Sequence, residues 1–341
     1  MNDRHKDLIQ KFAALGSLMV LVLAFSLAGD AFFTVGNGMS VALQVTSIGY
    51  LGIAATFVII TGGIDLSSGS VLALAGVVAA LLAQQGVPVA VAMAAGIGVG
   101  GICGLVNGVA ITRLKLPPFI ATLGMMLIAR GLALQVTGAR AVSGLGESFG
   151  ELGNGSLLRI EVETGGPFPD VVFPGVPYPV VVMIVLAIVG AVVLRRTVFG
   201  RHVYAVGSNA EAARLSGVNT GRVTLVAYVI SGLMSGLAGC VLMSRLVTGQ
   251  PNEGIMYELD AIASAVIGGT SLSGGVGSIS GTMIGALVIG ILRNGLNMNG
   301  ISSFVQQIII GVVILLTVWI DQRRNRGAAG LGRANVPASP P

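Results

Sequence analysis

Residues 39–61 run Met39-Ser-Val-Ala-Leu-Gln44-Val-Thr-Ser-Ile-Gly-Tyr-Leu-Gly-Ile-Ala-Ala-Thr-Phe-Val-Ile-Ile-Thr61, and the chain then breaks at Gly62-Gly63-Ile64-Asp65-Leu66-Ser67-Ser68-Gly69-Ser70. The first stretch carries no charge and is long enough to cross a ~30 Å hydrocarbon core as a helix, which takes about 20 residues. The break supplies a carboxylate and serines before the next apolar run begins. Outward from this pair the pattern repeats, with apolar blocks at about 12–29, 39–61, 70–84, 88–111, 118–137, 178–194, 223–247, 259–272, 277–293 and 301–320. Gly and Ala are mixed freely through them, as membrane helices tolerate, and no strand-like alternation recurs as a barrel requires. Only 10% of the 341 residues are charged, against roughly 25% in soluble domains, and mean hydropathy is +0.90. The sequence predicts an all-α polytopic membrane protein of about ten transmembrane helices.

Orientation follows from the positive charges, which concentrate in cytoplasmic loops. With the N-terminus inside and the blocks alternating, the inner side holds Arg4, Lys6 and Lys11; Arg113 and Lys115; Arg195, Arg196, Arg201, Arg214 and Arg222; and Arg323, Arg324, Arg326 and Arg333. Only Arg130, Arg140, Arg159, Arg245 and Arg293 remain for the blocks or the outer side, so both termini are expected to be cytoplasmic. One transmembrane unit over 1–322 would then be followed by a disordered cytoplasmic tail, 323–341, ending in Pro and Ala. An outer loop, about 138–177, carries Glu147, Glu151, Glu161, Glu163 and Asp170, and its Gly and Pro content predicts little regular structure. An inner loop, about 195–222, is basic with a helix signal in its middle. The basic start and first apolar block share features with a signal peptide, but a run of about 18 residues exceeds the usual ~7–15 residue core, so the block is expected to be retained.

In the inner loop, Ser208 can cap a short helix and Glu211, three residues on, can bond back to the cap residue's amide. Ala212, Ala213, Arg214 and Leu215 favour helix, and Gly217 suits a left-handed stop. This makes either a rigid knob on the inner face or a plain connecting turn. A second glycine-rich break, Gly268-Gly269-Thr270-Ser271-Leu272-Ser273-Gly274-Gly275, matches the first at five of eight positions when Gly62 is set on Gly268. Such a match points to an internal repeat whose interrupted helices line a central site, although tight turns fit the same residues. Asp65 and Arg130 are costly at membrane depth unless hydrated or paired. Together with Gln44, Ser67, Asn107, Thr122, Asn294 and Asn297 they are candidates to line a route for a hydroxyl-rich solute. The same residue types also join helices by hydrogen bonds, each worth ~0.6 kcal/mol on average. Finally, Gly96, Gly100, Gly104 and Gly108 recur every fourth residue, as do Gly277, Gly281 and Gly285 and the pair Gly232 and Gly236, predicting closely packed helix faces.

Several chemistries are excluded. The only lysines are Lys6, Lys11 and Lys115, and none follows a glycine, so the chain has no phosphate-cradling Gly-Lys-Ser/Thr loop. It has no His-Glu-x-x-His, no Cys-x-x-Cys and no Gly-x-Ser-x-Gly elbow with a plausible His partner. His5 and His202 lie in separate polar segments and Cys103 and Cys240 in apolar runs, so no metal site or disulfide framework is expected. A pI of about 9.6 reflects orientation in a membrane. Without aromatics interleaved among the basic residues, the expected partners include lipids and exclude nucleic acid.

Thr61-Gly-Gly-Ile-Asp65-Leu-Ser67, Asn107-Gly, Leu116-Pro117-Pro118-Phe119-Ile120-Ala-Thr122-Leu-Gly124 and Ala129-Arg130-Gly131 occur in that order. This combination resembles the membrane permease of bacterial ATP-binding-cassette sugar importers, the branch serving ribose, xylose, arabinose and galactose. Val206-Gly-Ser208-Asn209-Ala-Glu211-Ala212-Ala213-Arg214 with Gly217 is similar to that group's Glu-Ala-Ala loop. The resemblance covers about residues 10–323 and departs from the family near 157–176 and in the Pro-rich tail. It implies a multi-pass protein of the bacterial cytoplasmic (inner) membrane that is not itself an enzyme and binds no cofactor. Two cytoplasmic ATPases would use ATP and Mg, a periplasmic or tethered binding protein would deliver a ribose-like sugar, and a second permease copy, identical or a sister chain, would complete the channel. Ser208, Asn209, Glu211, Ala212, Ala213, Arg214 and Gly217 would form the ATPase-coupling segment. The alternative is a stand-alone facilitator or ion-coupled carrier with Asp65 or Asp260 as its motive group, which uptake by the chain alone would select.

Overall fold

A computed structural model describes residues 3–29, 31–162, 170–316 and 319. In chain order the elements are α1 (Asp3–Ala28), α2 (Val35–Ile60), α3 (Ser68–Gln84), α4 (Val89–Thr112), α5 (Pro118–Thr137), α6 (Glu147–Asn154), β1 (Ser156–Leu157), β2 (Ile160–Val162), β3 (Asp170–Phe173) and β4 (Val176–Pro177). They continue as α7 (Tyr178–Arg196), α8 (Val198–Ser208), α9 (Ala210–Leu215), α10 (Thr220–Leu246), α11 (Tyr257–Ile267), α12 (Ile279–Met298) and α13 (Ser303–Leu316). Each apolar block of the sequence overlaps one of these helices, although the block 259–272 runs past the end of α11 at Ile267 and the last block runs beyond the described residues. By length and composition, α2, α4, α5, α7, α10 and α12 are long and apolar enough to cross a membrane. The apolar part of α1, α3 and α13 are shorter, and α11 has 11 residues.

Helix ends follow from local chemistry. Thr34, Asn219 and Ser278 each turn a side-chain oxygen onto a first-turn amide of α2, α10 and α12, satisfying donors that the helix itself leaves open. Pro118 opens α5, where a missing N–H costs nothing, and Gly138 at φ +60° closes it.

The axis of the bundle is α2, whose most apolar stretch is 83% buried, against 22% for α5 and 28% for α7. α7, α10, α11 and α12 pack around it, and α3 and α4 lie against α10. Fully buried Tyr50 of α2 donates to the carbonyl of Pro179 at 2.6 Å, fixing where α7 enters. The four-residue glycine stripes lie where helices meet. A Cβ on Gly104 would stand 3.0 Å from Gly232 Cα, and one on Gly100 2.8 Å from Gly236 Cα, so α4 and α10 touch backbone to backbone. Gly281 and Gly285 bring α12 equally close to Gly268 and Ser264 at the end of α11. The periphery is apolar: Phe119, Ile120 and Ile128 of α5 and Ile188 and Val192 of α7 face outward.

The 138–177 loop is more ordered than its composition predicts. β1 pairs with β4 and β2 with β3, both antiparallel, with a bulge at Ile160/Glu161. Phe149 of α6 is fully buried, and Ser244 of α10 pins that helix by accepting from the Gly153 amide (2.8 Å) and donating to the Phe149 carbonyl (2.5 Å). The order comes from docking onto α10, a tertiary contact that turn-residue content does not register. Glu163 and the predicted tail, 323–341, lie outside the described residues.

Candidate functional site

The break after α2 holds a closed polar knot. Asp65 is buried, and one carboxylate oxygen accepts from the Ser67 amide (2.9 Å) and hydroxyl (2.6 Å) while the other accepts from Ser231 Oγ of α10 (2.6 Å). Ser67 Oγ in turn accepts from Asn107 Nδ2 of α4 (2.9 Å). One residue back, the Ile64 carbonyl receives Thr122 Oγ1 of α5 (3.3 Å) and the Tyr228 hydroxyl of α10 (3.2 Å). Four of the predicted pathway residues, Asp65, Ser67, Asn107 and Thr122, therefore converge on this one break. Among the described residues no cation pairs with Asp65; donated hydrogen bonds alone hold the buried carboxyl group, which burial would otherwise make costly. Sequence reading missed Tyr228 and Ser231, although with Ser235 they stand three and four residues apart, one face of α10 beside its glycines.

The other four predicted residues lie elsewhere. Asn294 of α12 is buried and exchanges two amide hydrogen bonds, 3.0 and 3.1 Å, with Asn37 of α2. Half-buried Arg130 donates through Nη1 to the carbonyls of Pro251 and Glu253 in the turn between α10 and α11, the latter at 2.8 Å. Gln44 and Asn297 are exposed and join neither group. An ion pair not anticipated from sequence, Arg293 to buried Asp260 at 2.5 Å, ties α12 to α11.

The inner-loop helix forms, with its cap moved by one residue. α8 runs through Ser208, so Asn209 caps α9 instead, its Oδ1 accepting from the Ala212 amide at 2.9 Å. The extended backbone of Asn209 (φ −162°) meets the cap's requirement, which Ser208, still helical, does not. Glu211 reaches no cap amide. It pairs with Arg214 at 2.6 and 3.1 Å on the exposed face, and Arg214 holds its carboxyl below the usual glutamate range. Ala213 is buried, and Gly217 at φ +86° provides the left-handed stop as predicted.

Both glycine-rich breaks close their helices in the same way. Gly62 N donates to Ile59 O and Gly63 N to Val58 O; Gly269 N donates to Val266 O and Thr270 N to Ala265 O. The left-handed residues are Gly62 (φ +83°) and Gly269 (φ +92°). Local structure thus matches Gly62 with Gly269, one residue away from the register that counting identities gives. The breaks also touch, since the Gly275 amide donates to the Ile60 carbonyl at 2.9 Å.

Apolar helices packed on glycine faces, two interrupted segments that meet, and an exposed capped helix beside them define a polytopic helical membrane protein. The chain belongs to the family described as branched-chain amino acid transport system / permease component, which it matches over residues 37–318. It is 41% identical over 324 residues to the ribose import permease protein of Bacillus subtilis, covering 94% of this chain and 96% of that one. To the xylose transport system permease protein of Haemophilus influenzae it is 37% identical, covering 92% and 96%. To the L-arabinose ABC transporter permease protein of Azospirillum brasilense it is 38% identical, covering 95% and 91%. No solved structure matches the chain.

Proposed function

We propose that this chain is the membrane permease subunit of an ATP-driven, binding-protein-dependent importer that moves a ribose-like pentose across the bacterial cytoplasmic membrane by alternating access. The observation that carries the reading is likeness along nearly the whole length to ribose, xylose and arabinose permeases. These names favour a sugar over the amino acids of the broader family description. In this reading the unit over 1–322 has ten membrane segments, the six long helices plus α1, α3, α11 and α13. Both termini are cytoplasmic, with 138–177 outside and 195–222 inside. Two copies, or this chain and a sister, form the channel, and two ATPases hydrolyse ATP with Mg beneath it. Ser208, Asn209, Glu211, Ala212, Ala213, Arg214 and Gly217 form the coupling segment. Exposure of Glu211 and Arg214, at 66% and 63%, leaves that segment open to a partner. Asp65, Ser67, Asn107 and Thr122 frame the pathway, Asn294 and Arg130 brace its helices, and exposed Gln44 and Asn297 are left to meet solute.

The cycle needs states that differ in their affinity for a partner, because only differential binding shifts a conformational equilibrium. ATP-driven closure of the ATPases supplies that difference at α9, and a periplasmic or tethered binding protein supplies it outside. Reconstitution in liposomes tests this: pentose uptake is expected only with ATPase subunits, ATP and binding protein together. Uptake by the chain alone would refute it.

A further inference from the structure

The root of α9 is wedged between the two glycine-rich breaks. A Cβ on Gly207 would stand 2.5 Å from the Gly275 amide nitrogen and closer still to the Ile60 carbonyl, and one on Gly275 would stand 3.0 Å from Ser208 Cα. A Cβ on Gly274 would lie 2.9 Å from the Gly207 carbonyl oxygen and 3.2 Å from Gly62 Cα. Three separate chain segments therefore meet largely backbone on backbone, the one side-chain atom among these contacts being Ser208 Oγ, 2.6 Å from a Cβ on Gly275. One turn earlier on α8, the Tyr204 hydroxyl donates to the Gly277 carbonyl at 2.8 Å, just before α12 begins. The remainder of α8 is anchored in an apolar cluster: Val203 and Val206 are buried with Phe57 and Ile60 of α2, Val223 of α10 and Ile279 of α12.

We propose that Tyr204 is a positioning residue for transport. Through its hydroxyl the α8–α9 segment carries displacement into the start of α12, while the contact of Gly207 with Ile60 carries the same displacement into the end of α2. Close-packed interfaces move between discrete arrangements instead of deforming gradually, so the two breaks and the coupling segment shift as one body. Both interrupted segments then change together when α9 is pushed, which a single hinge at either break would not achieve. The inference rests on reading α9 as the ATPase contact.

The test is Tyr204→Phe, which keeps the ring and deletes the hydroxyl, in the complex with ATPase and binding protein in liposomes. Wild-type ATPase association and basal hydrolysis are expected, with sugar delivered per ATP falling about fivefold, the factor carried by one net hydrogen bond. Unchanged delivery per ATP would overturn the proposal. Loss of ATPase association in Glu211→Lys tests the underlying reading separately, because that substitution leaves the Tyr204 bond in place. A second measurement covers the case in which Tyr204→Phe does not assemble: spin labels at Ser216→Cys and Val276→Cys, both exposed sites, in the otherwise wild-type complex. Their separation should be the same without nucleotide and with ATP trapped, and a change of more than about 5 Å, one helical turn, would show that the segment and the breaks move independently.

Discussion

Replacing Asp65 separates a structural knot from a solute-binding carboxylate. Asp65→Leu removes the acceptor for three donors, the Ser67 amide, the Ser67 hydroxyl and the Ser231 hydroxyl. A buried donor left without a partner costs ~1–3 kcal/mol, and leucine, though bulkier, keeps the branched outline of the aspartate side chain while accepting nothing. The amide cannot turn away, whereas the hydroxyls can partly recover by rotating, so a loss of about 3–6 kcal/mol is expected. Asp65→Asn keeps one oxygen for both Ser67 donors and changes only the contact to Ser231, so it should lose about 1–2 kcal/mol. Cys103 and Cys240 are free and buried and provide the assay. When opening is fast relative to labelling, thiol modification tracks the population of opened states, as proteolysis does. Asp65→Leu should therefore label about 150- to 20,000-fold faster than wild type, and Asp65→Asn about tenfold faster. Equal rates for the two variants would refute the hydrogen-bond account. A leucine variant as protected as wild type but dead in uptake would show that Asp65 acts on solute.

Three further outcomes follow from the packing. Gly104→Leu should separate α4 from α10, since even a Cβ there stands 3.0 Å from Gly232 Cα; an assembled complex eluting as wild type would contradict that contact. Arg293→Ala leaves Asp260, 3% exposed, without its cation, and should destabilise by about 3–5 kcal/mol, read by the same thiol labelling; unchanged protection would mean the pair is not what holds α11. Arg214 lowers the Glu211 carboxyl below its ordinary range, so the pair's contribution is complete above the ordinary glutamate value and disappears only as pH falls through the lowered one. Association of isolated ATPase with the permease, measured with the ATPase's own pH stability as control, should stay flat from neutral to about pH 5 and weaken below it. Loss beginning near neutrality would contradict the pairing.

Length and apolar content made the helical blocks legible, because a helix in lipid must satisfy its backbone internally and signals this with long uncharged runs. Glycine spacing likewise disclosed the closely packed faces of α4, α10 and α12, since close approach is a local property of one helix face. Pairing between elements was not legible. Nothing within 61–70 names Ser231 or Tyr228 as the groups that meet Asp65 and Ile64, and nothing near Arg130 names the carbonyls of Pro251 and Glu253. The cap of α9 was misplaced because Ser208 and Asn209 are both good cap residues and only the backbone angle at Asn209 decides between them. The 138–177 loop was misread because its order depends on Ser244, far away in sequence.

Some of the polar residues that punctuate the apolar runs serve backbone needs. Where the chain leaves helical form inside the bundle, carbonyl groups lose their partners, and lipid offers none. Thr122 and Tyr228 donate to the Ile64 carbonyl in the first break, and Arg130 donates to the carbonyls of Pro251 and Glu253 in the turn before α11. Two of these three donors sit on α5, a largely exposed helix. α5 thus braces two irregular segments whose conformations an apolar helix could not stabilise. If those segments rearrange during transport, α5 must travel with them or release its hydrogen bonds. An arginine suits the second course, because its several donors let it exchange one carbonyl for another without stranding either. Lysine at position 130 would keep the charge but lose the planar fork, so the conservative exchange should damage transport more than assembly.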